Sequence, residues 1–229
     1  MKKNPFKSIA IYAPRPRSGK TTAAGILVKC GFRLVQFSAP LRDPLYAAGL
    51  DTRHVEGELK EVPFPEGVIA KLEAEGVWPS ADDLSQLAQA GKWQEGAEVI
   101  TPRDFMKARA LILGDDMLIT IAQDKIHASH AENTPVVLDD LRWPSQYDYI
   151  ASYGDIFQIW RIERPLKEGE QNQAQDSRFE GLLENRHFEH NFVNDGSIED
   201  LEYKVLLQSL PPERRNFVLA FAEKFGTKD

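Results

Sequence analysis

The sequence predicts an α/β protein with a parallel sheet and helices on both of its faces. Two observations lead there. Short apolar runs bounded by turn residues, at residues 8–13, 32–38, 135–140 and 156–162, read as buried strands. Stretches of helical composition follow them, which is the alternation that builds a parallel sheet covered on both sides.

Residues 8–13 (Ser-Ile-Ala-Ile-Tyr-Ala) form the first strand and feed a basic turn, and residues 21–29 form a helix that stops before Gly31. Residues 32–38 make the second strand, and 39–50 a loop with a short helix. Residues 51–100 are rich in Glu, Gly and Pro with short helical pieces such as 80–90, and they read as a helical lobe inserted into a single domain. Thr101 and Pro102 read as the N-cap and first position of a helix, followed by a second helical stretch at 117–128. The strand at 135–140, a helix at 145–153, the strand at 156–162, a polar stretch at 167–178 and a terminal strand and helix from Asn191 complete the chain.

Composition narrows the function classes. The 229 residues carry 28 basic and 35 acidic side chains, a formal charge of -7. That balance opposes a sustained, sequence-independent hold on duplex nucleic acid, while a local basic patch can still hold a mononucleotide. Cys30 is the only cysteine, so neither an intrachain disulfide nor a multi-cysteine zinc site can form, and a reducing, cytoplasmic setting fits. The apolar run behind Lys2 and Lys3 is too short for a signal or membrane segment, so a soluble chain without membrane association is expected. The five histidines show no metal-ligand spacing, and His127 and His130 are expected on a helix surface.

Chemistry concentrates at the first strand-to-helix junction. Ser18-Gly19-Lys20-Thr21 supplies the end of a phosphate-binding loop: glycine lets backbone N–H groups close on phosphate, lysine reaches the outer phosphates, and threonine can ligate Mg²⁺ at a helix N-terminus. Arg15 and Arg17 can add charge. Pro14 stands where the pattern has its first glycine and brings no N–H. In such a sheet ligands lie beyond the carboxyl ends of the strands, so Asp139 and Asp140 should reach the crevice of Lys20. Strand alternation predicts that only one of the two faces a metal.

A set of fragments in order resembles the deoxynucleoside monophosphate kinases of tailed bacteriophages: Arg17-Ser18-Gly19-Lys20-Thr21-Thr22, Phe37-Ser38-Ala39-Pro40-Leu41-Arg42, Lys60-Glu61, Thr101-Pro102-Arg103 and Asp140-Leu141-Arg142-Trp143-Pro144. Ile162-Glu163-Arg164-Pro165 and the stretch from Asn194 to Leu201 continue the series across nearly the whole chain. The resemblance implies a P-loop NTPase-like fold with an inserted helical lobe and a lid at about 164–180. It further implies that ATP and Mg²⁺ serve as cofactors and that deoxynucleoside monophosphates become diphosphates. By position it assigns ATP phosphates to residues 17–22 with Lys20, Mg²⁺ to Thr21 and Asp140, the acceptor monophosphate to Arg42, Lys60, Arg103 and Arg142, and the lid side to Arg164 with Lys167 or Arg178. Lys20, Asp140 and Arg142 are then the catalytic set. Gln146 departs from the family's glutamate, and Pro14 is the other departure.

Two other readings stay open. One is a kinase of a hydroxymethylated base in phage DNA, such as 5-hydroxymethyluracil. The other is a nucleotide-binding regulatory module without productive transfer, for which Pro14 speaks. The accepted base and the oligomeric state, a homodimer included, are not legible in the residues.

Overall fold

The computed structural model describes residues 6–15, 17–165, 182–211 and 214–215, so Pro16, Lys167, Arg178 and most of the expected lid lie outside the described residues. The chain divides into two compact units, residues 1–36 with 122–229 and residues 37–121.

The first unit is an α/β layer structure around five strands, β1 (Ser8–Tyr12), β2 (Arg33–Val35), β3 (Val136–Leu141), β4 (Phe157–Glu163) and β5 (His190–Val193), in the order β2-β3-β1-β4-β5. Every pairing is parallel. The chain moves to one side of β1 for β2 and β3 and to the other for β4 and β5, so the crevice at the carboxyl end of β1 is the topological switch point where ligands bind in such sheets. All residues of β1 and β3 are buried, which explains their near-continuous apolar sequences. Helix α1 (Lys20–Lys29) follows β1 and packs Ala23, Ala24, Ile26 and Leu27 into a core shared with Ile9, Ile11, Val137 and Trp160. It ends as expected: Gly31 takes φ 94, and the Phe32 N–H donates back to the Leu27 carbonyl at 3.1 Å.

The second strand is shorter than its apolar run suggested. β2 stops at Val35 because helix α2 (Ala39–Ala47) starts with proline in its first turn, leaving Gln36 to Ser38 as the bend between them.

The second unit is helical and contains α2, α3 (Thr52–Val55), a 3₁₀ turn at Glu58–Glu61, α4 (Val68–Ala74), α5 (Ala81–Gln89) and the first part of α6 (Pro102–Ala131). Its core includes Leu45, Val55, Val68, Leu72 and Phe105, with Trp78 stacked on Phe105 at 5.9 Å. Thr101 and Asp104 exchange capping bonds at 3.2 and 3.0 Å ahead of Pro102. The two helical stretches expected at 101 and 117 form one long run broken at Gly114, whose φ 72 and ψ 165 only glycine adopts readily.

In the first unit, α7 (Pro144–Ala151) follows β3, and α8 (Ile198–Ser209) opens with a capping box between Ser197 and Asp200. Among the described residues no helix is long and apolar enough to cross a membrane.

Candidate active site

The loop between β1 and α1 leaves the sheet from Tyr12, a buried residue whose ring stacks on Phe188 with centroids 5.5 Å apart. Arg17 adopts a left-handed φ of 58, and Gly19, at the N-cap of α1, has φ 97 and ψ 8. The N-cap of α1 is a glycine and brings no capping side chain, so the first turn presents N–H donors and the partial positive charge that favours an anion. Ser18 is 2% exposed, and its hydroxyl donates to the Arg15 carbonyl at 2.7 Å, which closes the loop on itself. Thr21 and Thr22 are exposed on the first turn. The position of Gly19 is doubly constrained. Besides its φ, a Cβ there would lie 2.7 Å from Asn194 Nδ2 and 3.0 Å from Leu201 Cδ2.

Lys20, half-buried, is lowered to about 8 from its ordinary value of 10.5. Burial is the main cause, and the nearby Arg142 guanidinium adds repulsion, while Asp139 and Asp140 pull in the opposite direction. Four residues singled out in the sequence therefore share one electrostatic neighbourhood.

Strict alternation would aim only one of the two aspartates at a metal, and the pairing of β3 with β1 is irregular at this point. Ala10 pairs with Leu138 and Tyr12 with Leu141, so three steps of β3 run against two of β1. An extra residue of this kind disrupts the ladder and bends the strand locally, and the charges of both aspartates favour the Lys20 ammonium. Each aspartate is 5% exposed. Gln36, in the bend after β2, donates from Nε2 to Asp139 Oδ1 at 2.8 Å and so satisfies part of a buried charge. Sequence reasoning missed Gln36; its only signal is a polar side chain between Val35 and Phe37.

Arg142 is exposed at the end of β3. Its backbone N–H and that of Trp143 both donate to Gln146 Oε1, at 3.1 and 3.3 Å, so the amide of Gln146 shapes the turn that carries the arginine. An acceptor oxygen is what this position needs, and glutamine supplies it without charge. Arg164 follows β4 and is half-buried.

Three residues assigned by resemblance to the acceptor belong to the helical unit. Arg42 on α2 donates from Nη1 to Glu56 Oε1 at 3.1 Å, and the Tyr46 hydroxyl donates to the same oxygen at 2.9 Å. Arg103 on α6 pairs with Glu61. Lys60 stands half-buried in the 3₁₀ turn beside Glu61.

One histidine expectation is corrected. His130 is half-buried, and its Nε2 lies 2.9 Å from the hydroxyl of Ser8 at the start of β1, at the strand end opposite the loop that leads into α1. Burial, with a contribution from His127, holds it below the ordinary histidine value.

ATP and Mg²⁺ can be tested against these residues. The left-handed Gly19, the uncapped helix end and the lowered Lys20 suit a polyphosphate. Thr21 and Asp140 are hard oxygen donors of the kind that Mg²⁺ takes when phosphates and water complete its shell. Among the described residues no three His, Cys, Asp or Glu side chains gather as a protein-only metal cage.

A scan against protein-family models matches none, and no curated protein matches the chain. Among solved structures it is similar to TT1252 from Thermus thermophilus, at 15% identity over 90% of this chain and 98% of that one, with a TM-score of 0.46. It is also similar to dephospho-CoA kinase from Campylobacter jejuni, at 11% identity over 89% and 95%, with a TM-score of 0.44. At such values neither likeness assigns an activity, and the α/β fold rests on the sheet order and the strand, loop and helix at its switch point.

Proposed function

We propose that this protein is a P-loop phosphotransferase that moves the terminal phosphoryl group of ATP onto a deoxynucleoside 5'-monophosphate. The observation that carries the reading is the left-handed Gly19 that starts α1 at the carboxyl end of β1, with the buried Asp139 and Asp140 near the carboxyl end of the neighbouring β3 and Lys20 opening the helix. The N–H groups at the start of α1 and the Lys20 ammonium offer an anion partial and full positive charge at one helix end.

In this reading the loop N–H groups and Lys20 hold the ATP phosphates, and Thr21 and Asp140 hold Mg²⁺, which neutralises charge on the transferred group when bound. Arg142 offers planar, bidentate donors to an oxyanion. Arg42, Lys60 and Arg103 are the proposed cations for the acceptor phosphate, and Arg164 for the donor side. A phosphate oxygen accepts the group while already anionic near neutral pH, so no strong general base is required. Catalysis is positioning together with charge neutralisation.

Lys20→Ala should abolish phosphoryl transfer and leave a folded protein with an unchanged circular dichroism spectrum. Full turnover by that variant would defeat the assignment.

A further inference from the structure

Asn194 ties three parts of the first unit together. Its backbone N–H donates to the Glu163 carbonyl at 2.7 Å, continuing the pairing of β4 with β5 one step past Glu163 and Val193. Its side-chain Nδ2 donates to the Ser18 carbonyl at 3.0 Å. The same nitrogen stands at van der Waals limits from Gly19, where a Cβ would be only 2.7 Å away.

The consequence follows from peptide geometry. A peptide is planar and trans, so a Ser18 carbonyl held toward Asn194 turns the N–H of Gly19 to the opposite side. The Ser18 hydroxyl is already engaged by the Arg15 carbonyl at 2.7 Å, so the residue is fixed at both its side chain and its backbone. The left-handed Gly19 then starts α1 directly, with Ala23 N–H donating to the Gly19 carbonyl at 2.9 Å.

We propose that Asn194 is a positioning residue of the phosphate loop, whose amide fixes the peptide between Ser18 and Gly19 so that the loop's donors are set before an anion arrives. This rests on the reading of the loop as a polyphosphate site. Donors fixed in advance raise affinity by removing the ordering cost of binding. Asparagine suits this role where aspartate does not, because aspartate has the same shape but no donor and would set a negative oxygen against both the carbonyl and the ligand.

The test compares wild type, Asn194→Asp and Asn194→Ala by calorimetric titration with inorganic triphosphate and with ATP, alongside the KM of the monophosphate acceptor. Loss of one hydrogen bond that orders the loop should weaken both phosphate ligands about tenfold in the alanine variant and further in the aspartate variant, with the acceptor KM within about twofold. Should the aspartate variant fail to fold, the uncharged alanine variant carries the same comparison. Unchanged triphosphate affinity in a folded variant overturns the proposal, and so does a loss confined to ATP, which would place the side chain on the base or ribose. A wild-type protein that binds neither ligand defeats the polyphosphate reading itself, a result distinguishable from failure of Asn194 alone.

Discussion

The ammonium of Lys20 lies in the field of the Arg142 guanidinium, and this repulsion is second only to burial in holding Lys20 at about 8. A folded value below the unfolded one means that the charged lysine costs stability at neutral pH. That cost is fully present below pH 8 and is relieved as pH rises from about 8 toward 10.5, because over that interval the unfolded chain binds the proton and the folded one does not. Lys20→Met should therefore raise the unfolding free energy at pH 7 by about 1–3 kcal/mol, and by less at about pH 9.5. Urea titrations at the two pH values check this, and a destabilised variant at pH 7 would contradict it.

A polyphosphate reverses the balance at the same atom. Phosphate oxygens favour the ammonium, so binding above pH 8 should take up a proton, and affinity should fall as pH rises through about 8. Calorimetry with inorganic triphosphate in two buffers of different ionisation enthalpy measures the uptake directly. Affinity that is constant from about pH 7 to pH 9.5 would place the phosphates away from Lys20.

Gly19 should tolerate no side chain. Alanine there meets both the left-handed backbone and Asn194, so Gly19→Ala is expected to cost about 1–3 kcal/mol of stability and at least about tenfold in triphosphate affinity. Thermal unfolding and calorimetry report the two effects separately.

The helical unit offers a test of the acceptor assignment. Arg42→Ala should raise the monophosphate KM about tenfold or more while leaving the ATP KM nearly unchanged, since a charged hydrogen bond to phosphate is lost. Glu56, which orients Arg42 at 3.1 Å, should show the same pattern more weakly as Glu56→Gln. Equal effects of Arg42→Ala on both substrates would remove Arg42 from the acceptor side.

Much of this arrangement was legible in residues 8–29, because a buried strand, a left-handed glycine and a helix start each demand particular residue types. Gly19 and Lys20 could be placed from chemistry alone, as could Asp139 and Asp140 from the apolar run that precedes them. The register shift opposite Ala10 and Tyr12 was not legible, since alternation assumes a regular ladder and the extra residue depends on which strand lies alongside. Gln36 and Asn194 were missed as contacts for the same reason: each meets a partner more than 100 positions away, and nothing local marks the meeting. The length of the second strand failed on a local signal that was present, the proline at position 40 that starts α2.

Phosphoryl transfer to a monophosphate can be read directly by incubating the purified protein with ATP, Mg²⁺ and each common deoxynucleoside 5'-monophosphate in turn, and separating the products. Formation of ADP and a deoxynucleoside diphosphate in equal amounts with at least one acceptor, lost in Lys20→Ala, is the expected result. Tight ATP binding with no diphosphate formed from any monophosphate would contradict it.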